Sequence, residues 1–509
     1  MPSEIELKLS VTSAQARRLA AQPALAAVKP QRYRLFNTYY DTSGLDLYRR
    51  GIALRLRRKG RSEWLMTVKG GDPAGGALAR RSEWEAPTQP GVFDFDIVTD
   101  AGLCAFLKSH QAELRPVFST DFTRTAWSVE RSGASVEVAL DRGRIDAVSL
   151  QDGVTQASKP ICELELELIE GPSPDALFEL AIELAADVHL HPAIASKAER
   201  GYALAAAAVA PPAKSAPSPV VRRMSPGEAF RSTALACLLQ LQRNEQGVVS
   251  GRDPEYVHQA RVAIRRLRSS FRAFAPALAP AFVKVYAPRW GELGRQLGGT
   301  RDWDVFLAET LAPLEKAFPG DASLARLRER SLAVQSAAQA SAAVALSGQD
   351  YSQLLLAFSA ALYRHEPPTI ESGKGGKSGG KGDLRKFARL RLQKCLAAIR
   401  RIARKPARLD DAQWHRLRIA FKRLRYGLEF FAPLLPRKRL RCYQGRLVAI
   451  QDLLGKLNDQ VTAGKLIGEL HPDDDSTSLM TGWIAGRKHL LTQALVDALA
   501  GFLAQRKPW

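Results

Sequence analysis

One phrase occurs twice, and it constrains this chain more than anything else in it. His258-x-x-Arg261-x-x-x-Arg265-Arg266-Leu267-Arg268 returns as His415-x-x-Arg418-x-x-x-Lys422-Arg423-Leu424-Arg425. Every matched pair lies 157 positions apart, and Leu297-x-x-x-Arg301-Asp302 maps onto Leu454-x-x-x-Asn458-Asp459 at the same offset. Matched segments that keep one frame across unlike intervening sequence predict a duplicated structural unit. Within each phrase the His and basic residues recur at i, i+3, i+7 and i+10, which places them near one face of a helix. Like charges at such spacings destabilise a helix by about 0.2–0.5 kcal/mol per pair. No acid lies between Arg261 and Arg272, or between His415 and Arg425, to relieve them. A solvated face would intersperse acids, so the stripe points to a polyanion.

The charge behind that stripe is confined to one part of the chain. Residues 1–204 hold 25 Lys and Arg against 27 Asp and Glu, residues 205–509 hold 49 against 25, and the net excess of +22 therefore belongs to the second part. Such an excess implies nucleic acid, an anionic membrane or a phosphate polymer as partner. With 509 residues the chain has room for two or more domains, and 46% hydrophobic and 25% charged residues are globular values. Cys104, Cys162, Cys237, Cys395 and Cys442 are scattered singly with no C-x-x-C, which argues against a zinc ribbon or thioredoxin site and suits a reducing compartment. The start, Met-Pro-Ser-Glu-Ile-Glu, lacks the basic and apolar regions of a signal peptide, and the apolar stretch around Ala203–Ala210 is too short to span a bilayer. The expectation is a cytoplasmic protein with no membrane partner.

Up to about residue 170 the apolar period is two. Glu4–Leu9, Ala53–Arg58, Trp64–Lys69, Arg81–Glu85, Ser135–Asp141 and Cys162–Leu168 alternate as strands do, with turn signals such as Asp41-Thr-Ser-Gly44 between them. Residues 175–188 take helical spacing after Pro174. Pro211-Pro-Ala-Lys-Ser-Ala-Pro-Ser-Pro219 is a linker expected to be extended and solvated. Beyond it Ala, Leu, Arg and Gln dominate and apolar residues recur at spacings of three and four, which predicts an all-helical bundle. Gly373-Lys-Gly-Gly-Lys-Ser-Gly-Gly-Lys381 reads as a flexible basic connector; it has neither Walker spacing nor a preceding strand, so it is not a P-loop. The expected organisation is an α+β multidomain chain. It has an N-terminal domain at 1–204, a linker at 205–224 and a helical domain at 225–509, with repeats at about 225–370 and 384–509.

Side chains two apart on a strand share a face. Glu4, Glu6 and Lys8 therefore oppose Ile5, Leu7 and Leu9; Arg55 and Arg57 oppose Leu54 and Leu56; Lys69 opposes Met66 and Val68. Glu83 and Glu85 oppose Trp84, and Glu163, Glu165 and Glu167 oppose Leu164, Leu166 and Leu168. An amphipathic sheet with one wet face would show the same alternation. Two details go further: the polar residues are almost all fully charged, and like charges stand side by side, which is repulsive unless something intervenes. A cation would relieve the carboxylates and an anion the arginines, and a metal–phosphate substrate supplies both. Oxygen ligands of this kind suit Mg²⁺ or Mn²⁺.

In order, Glu4-Ile-Glu6-Leu-Lys8, Arg55-Leu-Arg57, Val68-Lys69, Glu83-Trp-Glu85, Arg124 in Thr-Arg-Thr-Ala-Trp127, Asp141-Arg-Gly143, Glu163-Leu-Glu165-Leu-Glu167 and Ser196-Lys197-x-x-Arg200-Gly201-Tyr202 resemble the CYTH domain of triphosphate tunnel metalloenzymes. The resemblance covers roughly residues 1–204 and implies an eight-stranded antiparallel β-barrel with a charged lumen. It implies that Glu4, Glu6, Asp141 and members of Glu163, Glu165 and Glu167 bind metal, with Glu83 and Glu85 as further acidic lumen positions. Arg55, Arg57, Lys69, Arg124 and Lys197 would clamp phosphate oxygens. Glu4, Glu6 and Lys8 would serve the chemistry, Lys8 by orienting water or phosphate. The implied reaction is in-line attack of water on a terminal phosphoryl group. Parity leaves open which Glu pair of 163–167 meets the metal.

The duplicated half resembles a CHAD domain through its two His-x-x-Arg phrases, Arg301-Asp302-x-Asp304 and Leu457-Asn458-Asp459. That resemblance covers about 225–509 and implies two pseudo-symmetric four-helix bundles whose basic channel binds inorganic polyphosphate. The residues are His258, Arg261, Arg265, Arg266, Arg268, His415, Arg418, Lys422, Arg423 and Arg425, with Asp302 and Asp459 pairing with arginines. Polyphosphate granules are then an expected location. The basic helices carry few aromatics for base stacking, which argues against nucleic acid. Three readings stand: an inorganic triphosphatase tied to a polyphosphate-binding module; an adenylate cyclase or thiamine-triphosphatase-like enzyme of the same superfamily; and a non-catalytic polyphosphate binder.

Overall fold

The computed structural model describes residues 3–70, 78–148, 155–207, 209–251, 253–364, 383–470 and 474–509. The Gly373–Lys381 connector lies outside them. The chain forms two compact units, Met1–Pro211 with Gly348–Glu366, and Pro212–Ser347 with Pro367–Trp509.

The period-two segments of the first unit form β1 (Ser3–Ser10), β2 (Gln31–Asp41), β3 (Ile52–Lys59), β4 (Glu63–Gly70), β5 (Leu78–Pro87), β6 (Arg115–Arg131), β7 (Ala134–Val148), β8 (Thr155–Glu170) and a two-residue β9 (His191–Pro192). The order is β5-β4-β3-β2-β6-β7-β8-β1-β9, and a further pairing of β5 with β1 closes eight strands into a barrel. All the pairings are antiparallel. β1 makes the closure by dividing its length: Ser3–Leu7 pair with β5 and Glu6–Ser10 with β8.

The helices of this unit are α1 (Ser13–Leu19), α2 (Pro23–Ala26), α3 (Asp46–Arg49), α4 (Ala101–His110), α5 (Asp175–Asp187) and α6 (Lys197–Ala205). They explain why the charged face turns inward. Leu7, Leu9, Val136, Val138, Leu164 and Leu166 lie in one buried cluster with Leu177, Leu180 and Leu184 of α5. Leu54, Leu56, Met66, Val68 and Trp84 do the same with Leu107 of α4. The apolar face is thus the outer one, buried under helices, and the alternate residues must face the lumen. Residues 349–363, in the stretch assigned by sequence to the helical half, also belong here: Leu356 and Ala360 join the α5 cluster.

The second unit is helical: α7 (Pro226–Ser250), α8 (Pro254–Ala273), α9 (Pro280–Gln296), α10 (Gly298–Val305), α11 (Ala312–Ala317), α12 (Ala322–Ser347), α14 (Leu384–Ile402), α15 (Asp411–Phe430), α16 (Arg437–Leu470) and α17 (Asp474–Leu503), with Gln349–Tyr363 of the first unit as α13. The duplication is carried by the backbone. α8 and α15 begin and end 157 residues apart, and so do the short turns Ala275–Ala277 and Ala432–Leu434 that follow them. Between the units the proline linker is tied to the second: the Asn244 amide bonds both backbone groups of Ala213, and Ser218 Oγ donates to the Phe430 carbonyl. Among the described residues, no helix is long and apolar enough to cross a membrane.

Candidate functional site

Into the lumen β1 sends Glu4, Glu6 and Lys8, β3 sends Arg55 and Arg57, β4 sends Lys69 and β5 sends Glu83 and Glu85. β6 adds Arg124, β7 Glu137, β8 Glu165 and Glu167, and α6 brings Lys197 in from the chain's return. They line one cavity of about 260 Å³. Ligand pockets run ~300–1,000 Å³, so this one suits a compact ion. Seven carboxylates and six cations line it. Because that balance is already near neutral, an anion of several charges can enter only with compensating cations.

The charges are sorted by strand. On the β6–β8 side, Arg124 grips Asp141 through two bonds of 2.8 and 2.7 Å and reaches Glu165 at 2.6 Å. Lys197 meets Asp141 at 2.7 Å, Glu165 at 3.0 Å and Glu163 as well, and Arg200 takes the other oxygen of Glu163. Burial resists ionisation of Glu165, but Lys197, Lys8 and Arg124 more than offset it and hold its carboxyl well below the usual range. Asp141, Glu163 and Glu165 could surround a cation, their oxygens lying within 4.8 Å of one another. The Lys197 ammonium already sits among them.

On the β3–β5 side the pairing is looser. Arg55 stands 3.7 and 3.8 Å from Glu83 and Glu85, and Arg57 3.9 Å from Glu85. Lys69 is the exception, meeting Glu4 at 2.6 Å and Glu83 at 3.0 Å. Burial, then Arg55 and Arg124, bring Arg57 down to about 10 although Glu85 opposes them. A guanidinium so placed is short of an anion.

Glu167 is short of a cation. It pairs in register with Glu6 across β1 and β8. Burial, with Glu4, Glu6 and Glu83 facing it, pushes its carboxyl up to about 7. Lys8 pairs with Glu6 and lies 3.9 Å from Glu165. Hard oxygen donors grouped without enough positive charge fit Mg²⁺ or Mn²⁺. Among the described residues, Glu167 is thus the carboxylate here that no cation holds, whereas Glu4 is held by Lys69, Glu6 by Lys8, and Glu163 and Glu165 by Lys197, Arg200 and Arg124.

In the second unit α8 packs on α15, and Arg265 Nε donates to Tyr426 Oη at 2.5 Å across that contact. Arg261, Arg265, Arg418 and Lys422 gather there. Arg261 has Asp302 at 3.4 Å, and Asp459 lies by Arg418 and Lys422. His258 borders the cluster, its pKa lowered by burial and then by Arg301. His415 contacts Asn458 Oδ1 at 3.2 Å, and Arg425 donates to Gln451 at 3.0 Å. Arg268 runs along α9, where a Cβ on Gly291 would stand 3.6 Å from its guanidinium. Arg423 is exposed. Arg266 goes elsewhere: it is 2% exposed, bonds Gln240 at 2.9 Å and faces Glu429 at 2.7 Å. Its Nε–H is not aligned on Glu429, so this is an ion contact within the core and not part of an open stripe.

A CYTH domain model matches residues 2–202 and a CHAD domain model matches residues 232–468. The chain therefore carries a CYTH domain followed by a CHAD domain. An inorganic triphosphatase of Haemophilus influenzae is 34% identical over 208 residues, which are 40% of this chain and 55% of the relative, so the match spans about half of that protein. The crystal structure of the CHAD domain from the plant Ricinus communis matches at 32% identity and a TM-score of 0.50, over 58% of this chain and 98% of the other. A Hippeastrum protein described as a putative adenylyl cyclase with a dominant triphosphatase activity is 18% identical, with a TM-score of 0.31 over 41% of this chain and 98% of its own. That last likeness is too distant to argue from.

The CYTH barrel also places residues in the lumen that the motifs did not single out. Glu137 lies 3.6 Å from Arg124. Its parity with Asp141 on β7 was the available signal. Asn37, which receives Arg57 Nε at 2.9 Å, shares parity with the lumen residues Tyr33 and Tyr39 on β2. Arg200, which the Lys197-x-x-Arg200 motif contains but gives no role, sits one turn from Lys197 on α6 and holds Glu163.

Proposed function

We propose that the CYTH barrel hydrolyses inorganic triphosphate with a divalent cation, Mg²⁺ or Mn²⁺, and that the CHAD unit binds polyphosphate. The observation that carries the first part is one small lumen that holds both a carboxylate short of a cation (Glu167, beside Glu4 and Glu6) and a guanidinium short of an anion (Arg57, beside Arg55). The relative named an inorganic triphosphatase supports it.

Arg55, Arg57 and Lys69 would take up phosphate oxygens from the β3–β4 wall, the two arginines exchanging long contacts to Glu83 and Glu85 for shorter ones to substrate. Arg124 and Lys197 are held rigid by Asp141 and Glu165 and would meet the chain from the opposite wall. Such preorganised cations stabilise charge on a transferring phosphoryl group. Glu4, Glu6 and Glu167 would hold the metal, which when bound withdraws charge from phosphate oxygens. Lys8, paired with Glu6, would orient the attacking water or the phosphate.

The test is phosphate release by the full chain from tripolyphosphate, long-chain polyphosphate, ATP and thiamine triphosphate, each with Mg²⁺, Mn²⁺ or EDTA. Metal-dependent release from tripolyphosphate that Glu6→Ala reduces by at least ~100-fold, the scale for losing one transition-state contact, is the expected result. Preference for ATP or thiamine triphosphate would move the assignment to a nucleotide- or thiamine-directed enzyme. No release from any of the four would overturn hydrolysis.

A further inference from the structure

Among the matched basic positions of the two His-x-x-Arg phrases, one differs in kind: Arg265 in the first repeat stands where Lys422 stands in the second. We infer that polyanion binding by the CHAD unit takes up a proton at Lys422, so that affinity rises as pH falls through the neutral range. This rests on the polyphosphate-binding reading above and adds to it a regulation of the same site.

Lys422 is half-buried on the face of α15 that meets α8. From its own helix it faces Arg418, from α8 it faces Arg265 and Arg261, and from α16 Asp459. His258 on α8 and Arg301 and Asp302 on α10 complete the group. On the α14 side, Cys395 and Arg391 lie by Arg423. Guanidinium groups do not lose their protons in proteins. The lysine is therefore the group that yields when burial and three like charges converge with one adjacent carboxylate. Burial, then Arg418 and Arg265, bring it down to about 6, with Asp459 opposing. Asp459 is itself pushed up by burial.

A bound phosphate chain reverses this balance. Its oxygens bring negative charge against the amine and favour the ammonium. Binding at pH 7–8 then draws a proton from solvent, and by linkage lower pH strengthens binding. The sign is fixed: Lys422 is mostly neutral without ligand above about 6. Tightening accordingly runs downward from pH 8 and levels off near 6. A site built on arginine alone would show no such slope.

The experiment is calorimetric titration of the full chain with sodium polyphosphate of one defined length. It is run at pH 8, 7 and 6, and at pH 7.5 in two buffers of different ionisation enthalpy. Wild type should gain up to ~10-fold in affinity per pH unit, the limit for one proton, with a binding heat that differs between buffers. Lys422→Arg should bind at every pH with a flattened profile and a smaller difference in heat between the two buffers. A slope unchanged in Lys422→Arg, or absent in wild type, overturns the inference. Wild type that binds at no pH overturns the polyphosphate reading itself, and the inference with it.

Discussion

Lys197→Ala tests the charge logic of the barrel most directly. The lysine is 8% exposed and lies among Asp141, Glu163 and Glu165, whose side chains are 0%, 7% and 13% exposed. Removing it leaves three buried carboxylates to Arg124, Arg200 and the more distant Lys8. Breaking a buried ionic group by deleting one partner costs about 3–5 kcal/mol. For a unit of this size about 1 kcal/mol moves Tm by ~2–4 °C, so the variant should melt roughly 6–20 °C lower in EDTA. The same deletion opens the three-carboxylate set, whose oxygens already lie within 4.8 Å of one another, to a divalent ion. At a free Mn²⁺ concentration of 100 Kd, binding returns about 2.7 kcal/mol, or roughly 5–11 °C. Thermal unfolding of the full chain, wild type and variant, in EDTA and in Mn²⁺ reads both effects. A variant that melts within about 2 °C of wild type in EDTA would refute the role given to Lys197. A Mn²⁺ shift no larger in the variant than in wild type would refute the opened site.

Two further outcomes follow from the barrel's packing. A Cβ on Gly201 would lie 2.1 Å from the fully buried Phe118 ring. Gly201→Ala should lower Tm by at least the equivalent of ~1–3 kcal/mol and reduce triphosphate hydrolysis by displacing Lys197 one turn away; normal melting and activity would show that α6 has slack. The second concerns Ser352 Oγ, which contacts His189 Nε2 at 3.0 Å and His191 Nδ1 at 2.9 Å. Burial and then His191 lower the pKa of His189, so the folded state binds the proton less readily than the unfolded one. Its stability contribution is complete above pH 6.5 and is lost as pH falls below it. Wild type should lose more Tm than His189→Asn between pH 7.5 and 5.5, and equal losses would remove His189 from the cause.

Strand parity was legible because a period of two survives any curvature of the sheet; Glu4, Glu6, Lys8, Arg55, Arg57 and Lys69 follow directly. Parity does not say whether the charged face is inside or outside a closed sheet. What decides that is the apolar face of β7, β8 and β1 beneath α5, a long-range contact. Parity equally could not separate Glu163 and Glu165 from Glu167, because their partners arrive on α6, a helix far from β8 in sequence. In the CHAD unit Arg266 sits one residue from the stripe position Arg265. About 100° of helical rotation carries it into the core with Gln240 and Glu429, which charge counting does not register. The 157-residue frame extends to the ends of α8 and α15 because a duplicated backbone keeps its caps and turns.

The packing of α13 onto the barrel unit also sets an order of events at the ribosome. Leu356 and Ala360 complete a core begun by Leu7, Leu9 and the leucines of α5, yet 143 residues separate Ala205, the end of α6, from Gln349. At ~5–20 residues per second, that surface waits roughly 7–30 s for its cover. During that interval the nascent barrel presents apolar side chains to whatever is nearby, and its final stability is fixed by a helix made after most of the first CHAD repeat.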